Sequence, residues 1–145
     1  MEITIKTFNY GSPEYEKALD LRNRILRIPL GLKFTPDELK KDETDTHLGL
    51  FTGDIISACL ILSDAGNGRM KMRQVAVDDI FQRQGLGQKL SKAAEDYAKS
   101  KGIALMFCHA RKTAAPFYEK MGYHVVGEEF IEVNIPHYVM EKALK

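Results

Sequence analysis

Gln82-Arg83-Gln84-Gly85-Leu86-Gly87-Gln88-Lys89 sets two glycines among amides and cations just before a long helical pattern. The first turn of a helix leaves backbone N–H groups unpaired and carries the positive end of the macrodipole, so it suits an anion. Gly85 and Gly87 lack Cβ atoms, which lets a ligand approach the backbone and permits unusual φ values. On this reading Gly87 serves the loop alone. Gln82, Arg83, Gln84, Gln88 and Lys89 surround the amides with further donors, and a pyrophosphate fits them best. A Gly-x-Gly turn before a helix also forms with no ligand, so the bare pattern leaves both readings open. It is not a Walker loop, and Leu90 stands where a dinucleotide fingerprint has its third glycine.

The elements that must carry this loop follow from periodicity. Residues 1–8 alternate as an opening strand. Ser12-Pro13 then offers an N-cap and a first-turn proline for a helix with Tyr15, Ala18, Leu19, Ile25 and Leu26 on one broad face. Ile28-Pro29-Leu30-Gly31 breaks it, and a short helix is expected after Thr35-Pro36. Segments 47–52 and 55–62 read as strands joined at Gly53-Asp54, 63–69 as a second turn, and 70–77 as the third strand of a meander.

Residues 85–100 are a helix by the stripe Leu86, Leu90, Ala93, Ala94, Tyr97 and Ala98, with Gly102 placed to cap it. A strand at 103–109, a helix from 113 or 114 to 121, and strands at 123–130 and 137–144 follow, the last two flanking a break at Asn134-Ile135-Pro136. Strand, glycine turn, helix and strand make a β-α-β unit, whose strands should run parallel with a right-handed crossover. Antiparallel strands flank it on both sides. The expected fold class is α/β, a mixed sheet with helices on both faces, as a single domain over 1–145.

With 145 residues and 44% hydrophobic content the chain can bury one core. A net charge of +1 gives no general attraction for nucleic acid or anionic membrane, so an anion site must be local. No apolar run reaches the roughly 20 residues that span a bilayer, and the N-terminus lacks a secretory pattern. A cytoplasmic protein is expected. Cys59 and Cys108 lie in apolar runs and read as buried free thiols, with no disulfide and no metal site.

Gln82-Arg83-Gln84-Gly85-Leu86-Gly87 is similar to the Gln/Arg-x-x-Gly-x-Gly/Ala signature of the GNAT superfamily of N-acetyltransferases. Arg73-Gln74-Val75-Ala76-Val77 looks like that family's fourth strand, and Ala115-Pro116-Phe117-Tyr118-Glu119-Lys120-Met121-Gly122-Tyr123 resembles its second signature. Phe130-Ile131-Glu132-Val133-Asn134-Ile135-Pro136-His137, with Met140, resembles the small bacterial subgroup around ElaA and YjcF. The resemblance implies a mostly antiparallel sheet splayed between strands 4 and 5, where acetyl-CoA enters as co-substrate and its pantetheine pairs with the strand edge.

The resemblance places that cofactor on Val75, Ala76 and Val77, on Gln82, Arg83, Gln84, Gly85, Leu86, Gly87 and Gln88, and on Ala114, Phe117 and Tyr118. An asparagine that contacts pantetheine in many relatives is missing from Ala110-Arg111-Lys112-Thr113-Ala114. Arg111 is expected either to reach the phosphates or to lie in solvent.

Amide formation from a thioester needs a neutral amine, a polarised carbonyl and a protonated leaving sulfur. The resemblance makes Tyr118 the proton donor, with Phe117 anchored in the core beside it, and sets His137 toward the acceptor as binder or base. His137 as a capping residue remains open. His47 and His109, at strand ends, are lesser candidates for the cleft, and His124 reads as exposed. The acidic stretch Asp37, Glu38, Asp42, Glu43, Asp45 reads as a solvated loop, or as an attraction for a cationic amine. The expected partner is a small-molecule or peptide amine, with no nucleic acid or membrane and a possible homodimer. A non-catalytic acyl-CoA-binding module is the alternative to an N-acetyltransferase.

Overall fold

A computed structural model describes residues 2–81 and 84–144. Strands β1 (Ile3–Phe8), β2 (Thr46–Thr52), β3 (Ile55–Gly66), β4 (Arg69–Val77), β5 (Leu105–Arg111), β6 (His124–Glu132) and β7 (Ile135–Ala143) form one sheet, ordered β1-β2-β3-β4-β5-β7-β6. Among the described strands only β4 and β5 pair in parallel, joined through α3 (Leu86–Ser100). Helices α1 (Pro13–Arg22), α2 (Pro36–Lys40) and α4 (Ala115–Lys120) complete the fold. The α/β class and its central parallel pair are as the sequence implies. No helix among the described residues is long and apolar enough to cross a membrane.

Two cores lie on opposite faces of the sheet. The α3 stripe of Leu86, Leu90, Ala94 and Ala98 packs with Leu60, Leu62, Met72, Met106, Cys108 and Met140. Ala18 and Leu21 of α1 pack with Phe51, Ile56, Cys59 and Ala76. Ser12 caps α1, accepting from the Tyr15 N–H at 3.1 Å. Its buried face is Tyr15, Ala18, Leu21 and Arg22, and Leu19 is only half-buried. Tyr15 and Ala18 are as expected, and Ile25 and Leu26 pack partly buried on the same core; Leu21 and Arg22 were not expected, the latter because an arginine reads as solvated. Past Arg22 the helix widens into a π turn, Asn23–Arg27, of the kind that often marks a functional site.

Several boundaries differ from expectation. Strand β3 continues into the expected turn at 63–69 as far as Gly66, and the reversal narrows to Asn67 (φ 56°) and Gly68 (φ 74°), a two-residue hairpin with both dihedrals positive. The expected strand at 103–109 starts at Leu105 and ends at Arg111, because Ile103 still closes the helix end by donating to Ala98 O at 3.0 Å. The expected break at 134–136 is instead a tight turn on Val133 (φ 45°) and Asn134 (φ 61°), with Ile135 and Pro136 already in β7.

A bulge in β4 does most to shape the site. Arg73 pairs with Ile61 and Ala76 with Cys59, so Gln74 and Val75 together oppose Leu60. Gln74 takes φ 56°, and the extra residue reverses the alternation of the strand. Met70 and Met72 lie in the α3 core, and beyond the bulge Val75 and Val77 pack there too, with Ala76 under α1. Lys71 and Arg73 therefore share the α1 side of the sheet.

Candidate active site

The parallel ladder has three rungs, and Lys71–Phe107 is the last. Both strands continue, β4 to Val77 and β5 to Arg111, without pairing again. A cleft of about 690 Å³ opens between them. Its walls are Lys71, Arg73, Gln74 and Val75 of β4, His109 and Arg111 of β5, Leu26 and Arg27 of the π turn, Tyr118 of α4, and Glu132, Val133 and His137 around the β6–β7 hairpin.

Where β4 ends at Val77 stands the start of α3, whose Gly87 lies against Val77 and Phe117. Gly85 is its N-cap in the left-handed region (φ 75°, ψ 11°), exposed, and no side chain caps the helix. The first internal bond is Lys89 N–H to Gly85 O at 3.0 Å, so the N–H groups before it have no intrahelical acceptor and suit an anion. Gln84, Gln88 and Lys89 are exposed around them, and Leu86 is in the core. Gln82 and Arg83 lie outside the described residues.

Gly87 departs from expectation. It is buried, and a Cβ placed on it would meet Phe117 Cζ at 3.1 Å and Val77 Cγ2 at 3.2 Å. Its missing side chain lets α3 seat on β4 and α4, so Gly87 serves packing and not the loop alone. Phe117 is correspondingly half-buried over this glycine, and Tyr118 is the deeper ring, contrary to the expected division between them. Ala114 also lines the cleft.

Tyr118 is 7% exposed and meets Phe117 and Tyr123 edge-on at 5.1 and 5.8 Å. Burial, with Cys108 nearby, pushes its phenol pKa well above the ordinary value. It keeps its proton throughout the neutral range. Burial also raises both thiols, Cys59 and Cys108, to about 12. They are free and buried, and carry no thiolate at neutral pH.

His137 is 3% exposed. Its Nδ1 lies 2.7 Å from Ile135 O, and a carbonyl can only accept, so Nδ1 carries the proton. The Nε2 of the neutral ring is then a lone-pair nitrogen, 3.8 Å from Glu132 Oε2. The other Glu132 oxygen is 3.1 Å from His109 Nδ1. One carboxylate thus joins two imidazoles at the cleft wall. The sequence reading named both histidines and missed Glu132. The available signal was Val133-Asn134 as a two-residue turn, which pairs Glu132 with Ile135 and brings it beside His137.

His47 is elsewhere: its Nε2 meets Asp42 O at 2.9 Å and its ring stacks on Phe8 in the core. His124 is exposed on β6.

Arg111 is half-buried and bonded within the cleft wall. Its Nη2 donates to Leu26 O at 2.9 Å across the cleft mouth. The acidic stretch is not simply a solvated loop either. Asp42 has no exposed surface; it accepts from Tyr15 (2.8 Å) and Arg22 (2.8 Å) through Oδ2 and from Arg73 (2.9 Å) through Oδ1. Arg73 also binds Asp45 Oδ2 at 2.7 Å. This buried network ties α1 to β4 behind the cleft. Gln74, at the bulge, lines the cleft, and its Oε1 is buried without a hydrogen-bond partner among the described residues.

This sheet and cleft define a class. Residues 34–144 match the acetyltransferase (GNAT) domain family, and the chain belongs to that family. It is 30% identical over 142 residues to the uncharacterized N-acetyltransferase YitI of Bacillus subtilis (strain 168), covering 90% of this chain and 92% of YitI. The uncharacterized protein YyaT of the same organism is 32% identical over 74 residues, so the chain spans about half the length of that relative: 51% of this chain against 50% of YyaT.

Among solved structures, a putative N-acetyltransferase from Lactobacillus plantarum superposes with a TM-score of 0.87 at 24% identity, over 99% of both chains. Escherichia coli ElaA does so with a TM-score of 0.81 at 18% identity, over 97% of this chain and 99% of its own. An aminoglycoside 6'-N-acetyltransferase complexed with coenzyme A gives 0.81 at 14% identity, over 98% and 97%.

Proposed function

We propose that the protein transfers an acetyl group from acetyl-CoA to a primary amine directly, within a ternary complex. The observation that carries this reading is the parting of β4 and β5 after Lys71–Phe107, with a protonated tyrosine in the cleft wall and, where β4 ends at Val77, a helix start that no side chain caps. The residues fit the co-substrate. The N–H groups at the start of α3 suit a pyrophosphate, and the β4 backbone around Val75 has no β5 partner, which leaves it open to an extended amide chain. The structural neighbour complexed with coenzyme A shares this fold.

Acetyl-CoA bound there supplies an acetyl group activated as a thioester. Glu132 attracts the ammonium form of the acceptor, and His137 Nε2 takes the proton that the amine must lose. The hydrogen bond to Ile135 O fixes the tautomer that makes this possible. Tyr118 passes its proton to the leaving sulfur. Neither cysteine is poised as an acyl carrier, which favours direct transfer. The test is CoA release from acetyl-CoA with a panel of primary amines. Amine-dependent release supports transfer; acetyl-CoA binding with no release by any amine marks an acyl-CoA-binding module.

A further inference from the structure

The charges of the cleft do not balance. Arg27 Nη1 and Arg111 Nη2 both donate to Leu26 O, at 3.5 and 2.9 Å, so two guanidiniums converge on one backbone oxygen. The carboxylate beside them is Glu38, whose Oε2 lies 3.4 Å from Arg27 Nη2 and whose Oε1 is engaged by the Thr35 N–H in the cap of α2. Arg111 has no carboxylate within ion-pair distance among the described residues. Burial, and then the charge of Arg27, works against its own charge.

Lys71 stands half-buried on the cleft floor, also without an ion pair among the described residues, and burial lowers its pKa against the pull of Glu132. Arg73 by contrast is matched by Asp42 and Asp45. Like charges gathered in a half-buried site lack a counter-charge, and two guanidinium forks are well shaped to grip a carboxylate or phosphate.

The negative pole is close by. Arg111 and His137 are cross-strand partners in β5 and β7, and Glu132 stands at His137. One small molecule could therefore place an amine at Glu132 and His137 and an anion at Arg111.

Building on the acetyl-transfer reading above, we propose that the acceptor carries a carboxylate or phosphate besides its amine, and that Arg111 with Arg27 binds this anion. The guanidinium of Arg111 uses one nitrogen on Leu26 O and keeps other N–H groups for the ligand. Acidic amines are thereby selected over their neutral counterparts, and Arg111 acts on the acceptor rather than on the phosphates of CoA.

The experiment compares matched amines: β-alanine against β-alaninamide, and phosphoethanolamine against ethanolamine. Two readouts are taken on the full chain, kcat/KM by CoA release and calorimetric binding with CoA saturating. Wild type should favour an acid-bearing member by about tenfold or more, the scale of one charge-assisted contact. Arg111→Gln should collapse that preference without raising the acetyl-CoA KM, and Arg111→Lys should restore part of it, with thermal melts confirming that both variants fold. The carboxylate and phosphate pairs show which anion is taken.

Binding of the acid member without turnover would uphold the anion site and remove the transfer reading. Turnover of neutral amines at equal rates would uphold transfer and overturn the anion site. Loss of acetyl-CoA affinity in Arg111→Gln with unchanged acceptor preference would assign the guanidinium to a CoA phosphate and likewise overturn it.

Discussion

Gly87 sits so close to Phe117 that a single added carbon would stand 3.1 Å from the ring. Gly85, two residues earlier, has open space around it and instead needs its φ of 75°. The two glycines of one motif therefore answer different demands. Gly87→Val should overpack the contact between α3, Val77 and α4, at about 1–3 kcal/mol, and lower Tm by several degrees. It should also weaken acetyl-CoA binding more than about tenfold. Gly85→Ala should carry only backbone strain of about 1–2 kcal/mol and leave the Phe117 packing intact. Thermal melts and calorimetry distinguish them; an unchanged Tm for Gly87→Val would contradict the packing role.

Tyr118→Phe removes a hydroxyl and keeps the ring that meets Phe117 and Tyr123. Fold and acetyl-CoA affinity should be preserved. The chemical step should slow by roughly 10²–10⁴-fold, or nearer tenfold if water replaces the donor. Pre-steady-state turnover with a good acceptor checks this, and a wild-type chemical rate would remove Tyr118 from proton transfer.

His137→Asn retains an N–H that can reach Ile135 O but has no lone-pair nitrogen in place of Nε2. Acceptor kcat/KM should fall by about 10²-fold or more, with the acetyl-CoA KM steady. Glu132→Gln, which keeps the shape and removes the charge, should raise the acceptor KM more than it lowers kcat. Loss of stability with normal kinetics in both variants would return this cluster to a structural role.

Some of this site is legible in residues alone and some is not. The α3 stripe and the glycines before it announce themselves because helix period and turn chemistry are local. The three-rung ladder is not local. It pairs residues more than thirty apart, and the cleft beside it is further shaped by Gln74 at φ 56° in what reads as an ordinary strand. Arg22 escaped notice and Asp42 was read as part of a solvated loop for a related reason: each alone reads as solvated, and only together, 2.8 Å apart, can they be buried. Glu132 was missed because a carboxylate at a strand end is usually solvated, and because Asn134 is the one hint of the turn while Val133, a β-branched residue at φ 45°, argues against it.

The buried ionisable groups make acid stability a two-stage matter. Burial holds the His47 pKa below its ordinary 6.5. Its contribution is complete above pH 6.5 and is lost as pH falls through the lower folded value. For Asp42, burial acts upward, but the hydrogen bond and charge of Arg22, with Tyr15 and Arg73, prevail and hold the carboxyl below 3.8. That contribution is present above pH 3.8 and disappears as pH falls through the folded pKa. Tm should therefore begin to decline below pH 6.5 and steepen below 3.8. Asp42→Asn should cost about 3–5 kcal/mol at neutral pH, since it leaves Arg22 buried and unmatched, and should flatten the steep acid limb. Denaturant melts across pH check both; an unaltered acid limb in a folded Asp42→Asn protein would contradict the assignment.

The central claim is direct acetyl transfer in the cleft beyond Lys71 and Phe107. Its most direct test is a single turnover with acetyl-CoA and β-alanine, quenched and resolved by mass spectrometry of both protein and small molecules. The account predicts N-acetylated amine in step with released CoA, and a protein whose mass never changes. CoA release that leaves acetyl on Cys59, Cys108 or another side chain, or that yields acetate and unmodified amine, would contradict it.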